Sequence, residues 1–401
     1  MSPLSPLPAI ACLLVAVATA FLLERKFGAP QPLGRFTTID GLRGYLAFFV
    51  FMHHSSVWYF YLRTDQWTVP PSNLYGNFGR SSVLIFFMIT GFLFFSKLID
   101  GRTRSIDWGK LFVSRFLRLV PLYLFAMFLL FLLVAIVSGW AMNESIPELL
   151  DEVIAWLAFT IPGVPNLNGV NDTFAIIAWV TWSLPYEWLF YFSLPLLALA
   201  VGVIPPFIYI VLSIVGVTAL AVWDPDINLM LLIPFLSGMA AAMLVRLNLF
   251  RQFATRKISS IILLGCIATA VAFYPVADEP VPFFLLTAAF ILIACGNSLF
   301  GVLTSPASRT LGEMAYSLYL LHGITLFVTF YFILGEDNSR ALSPVAHWLV
   351  VAGITPVLVS LCFFTFRHIE SPAMRSTTTF TAWLRSRLTP RTKAITTNER
   401  P

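Results

Sequence analysis

Four groups of polar side chains sit inside or at the mouths of long apolar stretches, where polar groups are costly and by default mark function. The first is Asp40-Gly41-Leu42-Arg43-Gly44, followed by an apolar run and then His53-His54. Arg43 and His54 are three helical turns plus about 20° apart, so both lie on one helix face, His54 ~16 Å further along the axis. An imidazole at that depth, aligned with an Arg near the surface, suits general-base chemistry. The second is Ser114-Arg115-Phe116-Leu117-Arg118, whose two guanidiniums share a face and match phosphate oxygens. The third, Trp182-Ser183-Leu184-Pro185-Tyr186-Glu187 with Tyr191, places Ser183, Glu187 and Tyr191 at every fourth position. A lone carboxylate there needs a cationic or imidazole partner. The fourth is Gly312-Glu313 through Ser317, Tyr319 and His322, the last two on one face. Each group also fits a structural role: interfacial anchoring for the arginines, hydrogen bonding between helices for the histidines and Glu187.

The elements that position these groups follow from composition. Hydrophobic residues make up 58% of the chain and charged ones 11%, and mean hydropathy is +0.83. A soluble domain carries about a quarter charged residues, so a soluble enzyme, a disordered chain and a nucleic-acid-binding domain are excluded. A membrane span needs about 20 apolar residues. That ruler gives eleven spans, near 6–23, 44–62, 82–99, 116–139, 176–199, 203–222, 229–246, 258–276, 281–300, 313–335 and 345–366. Pro121, Pro185, Pro195 and Pro234 are expected to kink their spans, and 148–162 to form an interfacial or re-entrant helix. With the N-terminus outside, 22 of the 25 Lys and Arg fall in inside segments. The net charge of +5 is therefore a topology signal, giving N-out, C-in. The first span lacks the basic n-region of a signal peptide and reads as uncleaved. Cys12, Cys266, Cys295 and Cys362 have neither disulfide nor metal-ligand spacing, and no metal site is expected. The fold class is an all-α polytopic bundle. An extra span and linker (1–34) precede a membrane domain (35–372), and a disordered tail (373–401) follows.

In their order, these clusters resemble the acyltransferase family 3 membrane proteins. Arg43 and His54 match the family's Arg–His spacing after an Asp-Gly-Leu-Arg start. Phe86-Phe87-Met88-Ile89-Thr90-Gly91-Phe92-Leu93 resembles its paired-Phe segment, and Arg115 through Pro121 its Arg-x-x-Arg-x-x-Pro segment. Trp182-Ser183-Leu184 with Glu187 and Tyr191, Ser317-Leu318-Tyr319-Leu320-Leu321-His322, and Glu370 in His368-Ile369-Glu370-Ser371-Pro372 resemble three more. The chain departs from the family at Leu84, where many bacterial members carry Asp, and at Thr90, where Ser is usual. The resemblance implies a membrane-bound O-acyltransferase with an acyl-CoA donor, acetyl-CoA being commonest, held from the inner face. The acceptor would be a hydroxyl of a cell-surface glycan or lipid-linked sugar, alongside polysaccharide-synthesis machinery in a bacterial inner membrane. On that reading Arg115, Arg118 and Arg43 hold the CoA phosphates. His54, at the depth of the pantetheine arm, acts as base or as covalent acyl relay, and Glu187 orients His54 or pairs with an Arg. Asp40, Tyr191, Ser317, Tyr319 and His322 are second-tier residues. Trp58, Tyr59, Tyr61, Trp67 and the loop 143–172, with Asn166, Asn168, Asn171 and Asp172, mark an acceptor entrance or an aromatic belt. A secondary transporter is the rival class; it has mid-membrane charges and broken helices too, but no second copy of the Asp40–His54 pattern is present. A non-catalytic scaffold for polysaccharide synthesis is a further rival.

Overall fold

A computed structural model describes residues 2–28, 36–223 and 227–388. The linker residues 29–35, Asp224, Asp226 and the tail beyond Leu388 lie outside the described residues. The elements run α1 (Pro6–Phe27), α2 (Thr37–Thr64), α3 (Asn73–Asp100), α4 (Trp108–Val137), α5 (Ile146–Leu157), α6 (Thr173–Ile176), α7 (Leu184–Ala200), α8 (Phe207–Trp223) and α9 (Ile233–Leu244). They continue with α10 (Asn248–Ala254), α11 (Lys257–Phe273), α12 (Pro280–Ala294), α13 (Pro306–Glu313), α14 (Ala315–Phe327), α15 (Glu336–Ala341), α16 (Pro344–Thr365), α17 (Ser371–Arg375) and α18 (Thr377–Leu388). The described residues form no strand beyond one isolated bridge between Leu167 and Val170.

Each apolar segment picked out by the length ruler contains a helix, although not every segment is helical along its length. Five are long and apolar enough to cross a membrane: Leu7–Phe27, Asn73–Asp100, Trp108–Val137, Ala315–Ile333 and Pro344–Arg375. A sixth is reached if Leu229–Leu244 and Asn248–Ala254, bent by 103°, form one span. The helices Phe207–Trp223, Lys257–Phe273 and Pro280–Ala294 are apolar but shorter. Helix α2 is 28 residues long, and its hydropathy is lowered by Asp40, Arg43, His53, His54 and Arg63. Leu7, Leu14, Phe207 and Phe284 are among the large apolar side chains left exposed on the flanks, as lipid contact requires.

Helix α2 lies at the centre, against α3, α13, α14 and α16. Glycines let its backbone come within contact of its neighbours. A Cβ on Gly312 would stand 1.8 Å from the Asp40 carbonyl oxygen, and one on Gly44 2.6 Å from Leu311. Small residues at helix contacts substitute close packing for the hydrophobic drive that lipid does not supply. Helix α1 buries a stripe of Ala9, Cys12, Ala16 and Ala20 and packs along α16 and α13. It is tied at one end by Tyr75 Oη to the Ser5 carbonyl (2.8 Å) and Trp348 Nε1 to the Pro3 carbonyl (2.9 Å). At the other end Thr310 donates to Glu24 (3.1 Å) and Arg367 to the Phe27 carbonyl (2.8 Å).

Three expectations need correction. Pro185 and Pro234 do not kink spans; both stand in the first turn of their helices, where a missing N–H costs nothing. Pro121 and Pro195 do lie inside helices. The segment 176–199 is not one helix. Ala178 and Trp179 adopt left-handed backbone (φ 54° and 53°), Val180–Ser183 forms a 3₁₀ turn, and α7 starts only at Leu184. Of the tail expected to be disordered (373–401), residues 373–375 belong to α17 and 377–388 form α18. Thr377 and Thr381 are buried in α18, which packs on α4, and Arg385 reaches Asp107 (2.5 Å). The stretch 148–162 holds α5, begun by a capping box between Ser145 and Glu148. Gly312→Ala should destabilise the protein by about 1–3 kcal/mol, because backbone cannot yield as a side chain can. A lowered melting temperature of the purified protein in detergent checks this.

Candidate active site

Two histidines, far apart in sequence, meet in the bundle. His54 Nδ1 lies 2.9 Å from His322 Nε2, and His322 Nδ1 lies 2.9 Å from the Leu318 carbonyl oxygen one turn back on α14. A carbonyl only accepts, so His322 Nδ1 carries a hydrogen. In a neutral ring its Nε2 must then accept, so His54 Nδ1 donates to it. His54 Nε2 is left with a free lone pair. His322 is fully buried and His54 half-buried. The indole of Trp67, from the loop after α2, stacks on His54 (centroids 6.0 Å, 27°). Trp67 is braced edge-on by Trp58, Tyr61 and Phe174. His53 has a different task. Its Nδ1 donates to the Tyr75 carbonyl (2.7 Å), and its ring fills the space left by Gly79 of α3.

A cavity of about 710 Å³ opens at the end of the bundle where α2 and α4 begin and α3 ends. Lys97, Arg104, Lys110 and Arg115 ring its mouth, and Arg43 and Arg118 stand further in. Asp40, Glu187 and Glu313 supply opposite charge, and Thr90, Ser183, Tyr191, Tyr316 and Tyr319 supply hydroxyls. Glu187 accepts from Tyr191 Oη at 2.9 Å. The Arg115 guanidinium sits over the Phe94 ring at 5.0 Å, a cation–π contact that holds it at the wall.

Arg118 is fixed by the end of α16. That helix closes in a π turn, Phe366–Glu370, which turns the fully buried Glu370 inward. The two side chains approach to 4.0 Å, and Arg118 Nη1 also donates to Met374 Sδ (3.0 Å). Ser317 donates to Glu370 Oε1, and Thr365 donates to Ser317 at 3.1 Å. Arg118 Nη2 and Glu370 Oε2 are buried without a hydrogen bond. The charges are therefore each other's main compensation.

Seven of the sequence candidates thus line one cavity: Asp40, Arg43, Arg115, Arg118, Glu187, Tyr191 and Tyr319. Three do not. Ser317 belongs to the Glu370 cluster, while His54 and His322 stand behind the cavity's inner end. Of the two roles expected for Glu187, orienting His54 or pairing with an Arg, the first is not seen: the ring partner of His54 is His322, and Glu187 accepts from Tyr191. His54 is also not among the residues lining the cavity, although α2 carries it on the face of Arg43; Tyr319, which lines it, meets His322 edge-on. Asn168 does not face an entrance. It is buried and clasps the loop, donating to Ser138 and Ala141 and accepting from the Asn143 N–H. Asp172 accepts from Tyr61 Oη (3.1 Å). Sequence reasoning passed over Glu370 as a site residue. Its signal was a carboxylate ending an apolar span just before Pro372.

Arg118→Met leaves Glu370 buried without its counter-charge. It should cost about 3–5 kcal/mol, and adding Glu370→Gln should restore much of that. Thermal unfolding of both variants in one detergent tests the coupling; equal melting temperatures in the single and double variants would disprove it.

A family model described as an acyltransferase domain matches residues 36–367, and the chain belongs to acyltransferase family 3. No curated protein and no solved structure matches the chain. With its membrane-capable helices, this is an acyltransferase of the membrane type.

Proposed function

We propose that the protein moves an acyl group, acetyl in the simplest case, from cytoplasmic acyl-CoA to a hydroxyl of a cell-surface or exported glycan. It would do so as a multi-pass protein of the bacterial inner membrane, with the cavity mouth facing the cytoplasm. The observation that carries this reading is a cation-ringed cavity whose lining stops short of the paired His54 and His322, a pair that with neutral rings leaves a lone pair on His54 Nε2. The donor's phosphates would bind Lys97, Arg104, Lys110 and Arg115, whose forks and ammonium groups match phosphate oxygens. Arg43 and Arg118 lie along the path of the pantetheine arm. The excess of Lys and Arg at that end supports the N-out, C-in orientation.

His54 serves in one of two ways. As a base, Nε2 takes the acceptor hydroxyl's proton while the oxygen bonds to the thioester carbon. The C–S bond breaks, and the CoA thiolate then recovers that proton. As a relay, Nε2 bonds to the acyl carbon as the C–S bond breaks and CoA leaves as the thiolate; the acceptor oxygen then bonds to that carbon, the C–N bond breaks, and the hydroxyl proton passes to the thiolate. Both need Nε2 unprotonated and aimed, which is what the His322 and Leu318 hydrogen bonds provide. His322 is a positioning residue. Trp67 and Tyr61 with Asp172 offer a ring face and polar atoms on the opposite side, chemistry that suits a sugar.

The test is mass spectrometry of surface polysaccharide from cells carrying wild-type protein or His54→Ala at matched membrane levels. An ester-linked acyl mass should be present with the first and absent with the second; the same mass in both would remove His54 from catalysis. Solute uptake by proteoliposomes with no acylation would instead support a transporter. In purified protein, His54→Ala should lower transfer by about 10²–10⁴. His322→Ala should lose part of that range, and His322→Gln, whose amide oxygen can accept from Nδ1, should recover some of it. Identical rates for His322→Ala and wild type would disprove the positioning role.

A further inference from the structure

The cavity's lining includes neither His54 nor His322. Along α3 its lining runs from Asp100 and Lys97 to Val83, and along α14 from Ala315 to Tyr319. On the other side it runs from Tyr191 of α7 to Ser183. His53 packs on Gly79, so the histidines stand about one helical turn (~6 Å) beyond Val83. The intervening space is filled by rings in series. Phe86 meets Tyr319 edge-on (6.1 Å between centroids), Tyr319 meets His322 (6.4 Å), and His322 meets His54 (5.0 Å).

Both wall residues are held. Tyr319 Oη bonds Ser183 Oγ (2.9 Å) and donates to the Val180 carbonyl (3.0 Å), on the irregular turn before α7. Phe86 is half-buried between buried neighbours and presents its remaining surface to the cavity. Val83, Phe87 and Leu184, all buried, line the same inner part of the cavity.

We infer that Phe86 and Tyr319 select the acyl group by length, admitting short chains and rejecting long ones. This rests on the acyl-CoA reading of the cavity. With the donor's phosphates at the basic mouth, the thioester end of the arm points inward, and the acyl group is the part that meets the wall. Each methylene beyond a short acyl must displace a close-packed ring or fold back. A pocket discriminates one methylene by roughly 10–200-fold, so selection should be steep. The wall also has to yield for transfer to His54, and Tyr319, hung on two hydrogen bonds, is the part able to do so by a rotamer change.

The experiment is transfer by purified protein with acetyl-, propionyl-, butyryl- and hexanoyl-CoA, alongside binding of each donor. In wild type, kcat/KM should fall at least tenfold from acetyl to butyryl. Phe86→Ala should raise the butyryl-to-acetyl ratio at least tenfold, with Phe86→Leu in between and available should the Ala variant not fold. Tyr319→Phe keeps the ring and should keep the ratio, while changing kcat through the lost hydrogen bonds. Unchanged ratios in the Phe86 variants, or a wild type indifferent to chain length, would overturn the inference alone. Wild-type protein that binds no acyl-CoA of any length would overturn the donor reading beneath it.

Discussion

Hydrocarbon offers no substitute for water at a buried charge, so each ionised side chain inside the bundle must find its compensation from the protein. Arg118 and Glu370 show what this demands. A carboxylate at the end of one apolar helix and a guanidinium near the start of another stand 4.0 Å apart, with Ser317 and Thr365 completing the carboxylate's surroundings. To close that contact the end of α16 tightens into a π turn, and α14, α16 and α4 are drawn together around the cavity mouth. The basic ring there is tolerated because the cavity opens at the bundle's end. The same constraint makes the deeper histidines neutral partners of each other and of a carbonyl, a solution that avoids burying charge.

The irregular backbone gathers where side chains must be re-aimed. The left-handed pair Ala178–Trp179 and the 3₁₀ turn after it interrupt an apolar stretch, and that interruption presents Ser183 and the Val180 carbonyl to Tyr319. Gly323 sits against the Ile177 carbonyl group, where a Cβ would come within 2.4 Å, so α14 can approach this break. A straight helix through 176–199 would have carried Ser183 on the face of Glu187 and left Tyr319 without its two partners. Broken helices in a membrane are viable where the freed backbone is buried in protein, as it is here.

Much of this was legible in the sequence, for reasons that differ by element. The apolar helices were found because lipid burial imposes a length, and Arg43 with Arg115, Arg118 and Glu187 because charge in an apolar setting needs a cause. The break at Ala178–Trp179 was not, since neither residue marks a turn and tertiary contacts set the conformation; Pro185, at a helix start, was the available sign. Helix α18 was hidden by its Thr and Arg content, because its support is its packing on α4 and the Arg385–Asp107 contact. The His54–His322 pair was beyond reach. Each histidine could be placed on a helix face, but which faces meet across 268 residues is a tertiary fact. Depth arithmetic likewise put His54 three turns beyond Arg43 on α2, yet said nothing of the rings near it.

Those rings have a chemical logic within the proposed reaction. A histidine able to take a proton from an alcohol can take one from water, and a thioester beside it would be hydrolysed. Here Trp67, itself braced by three aromatic side chains, stacks on the half-buried His54, and Tyr319 and Phe86 follow in series beyond His322. Excluding bulk water strengthens every interaction in the site and suppresses that side reaction. Selection by size and protection from water are, in this arrangement, consequences of the same packed rings.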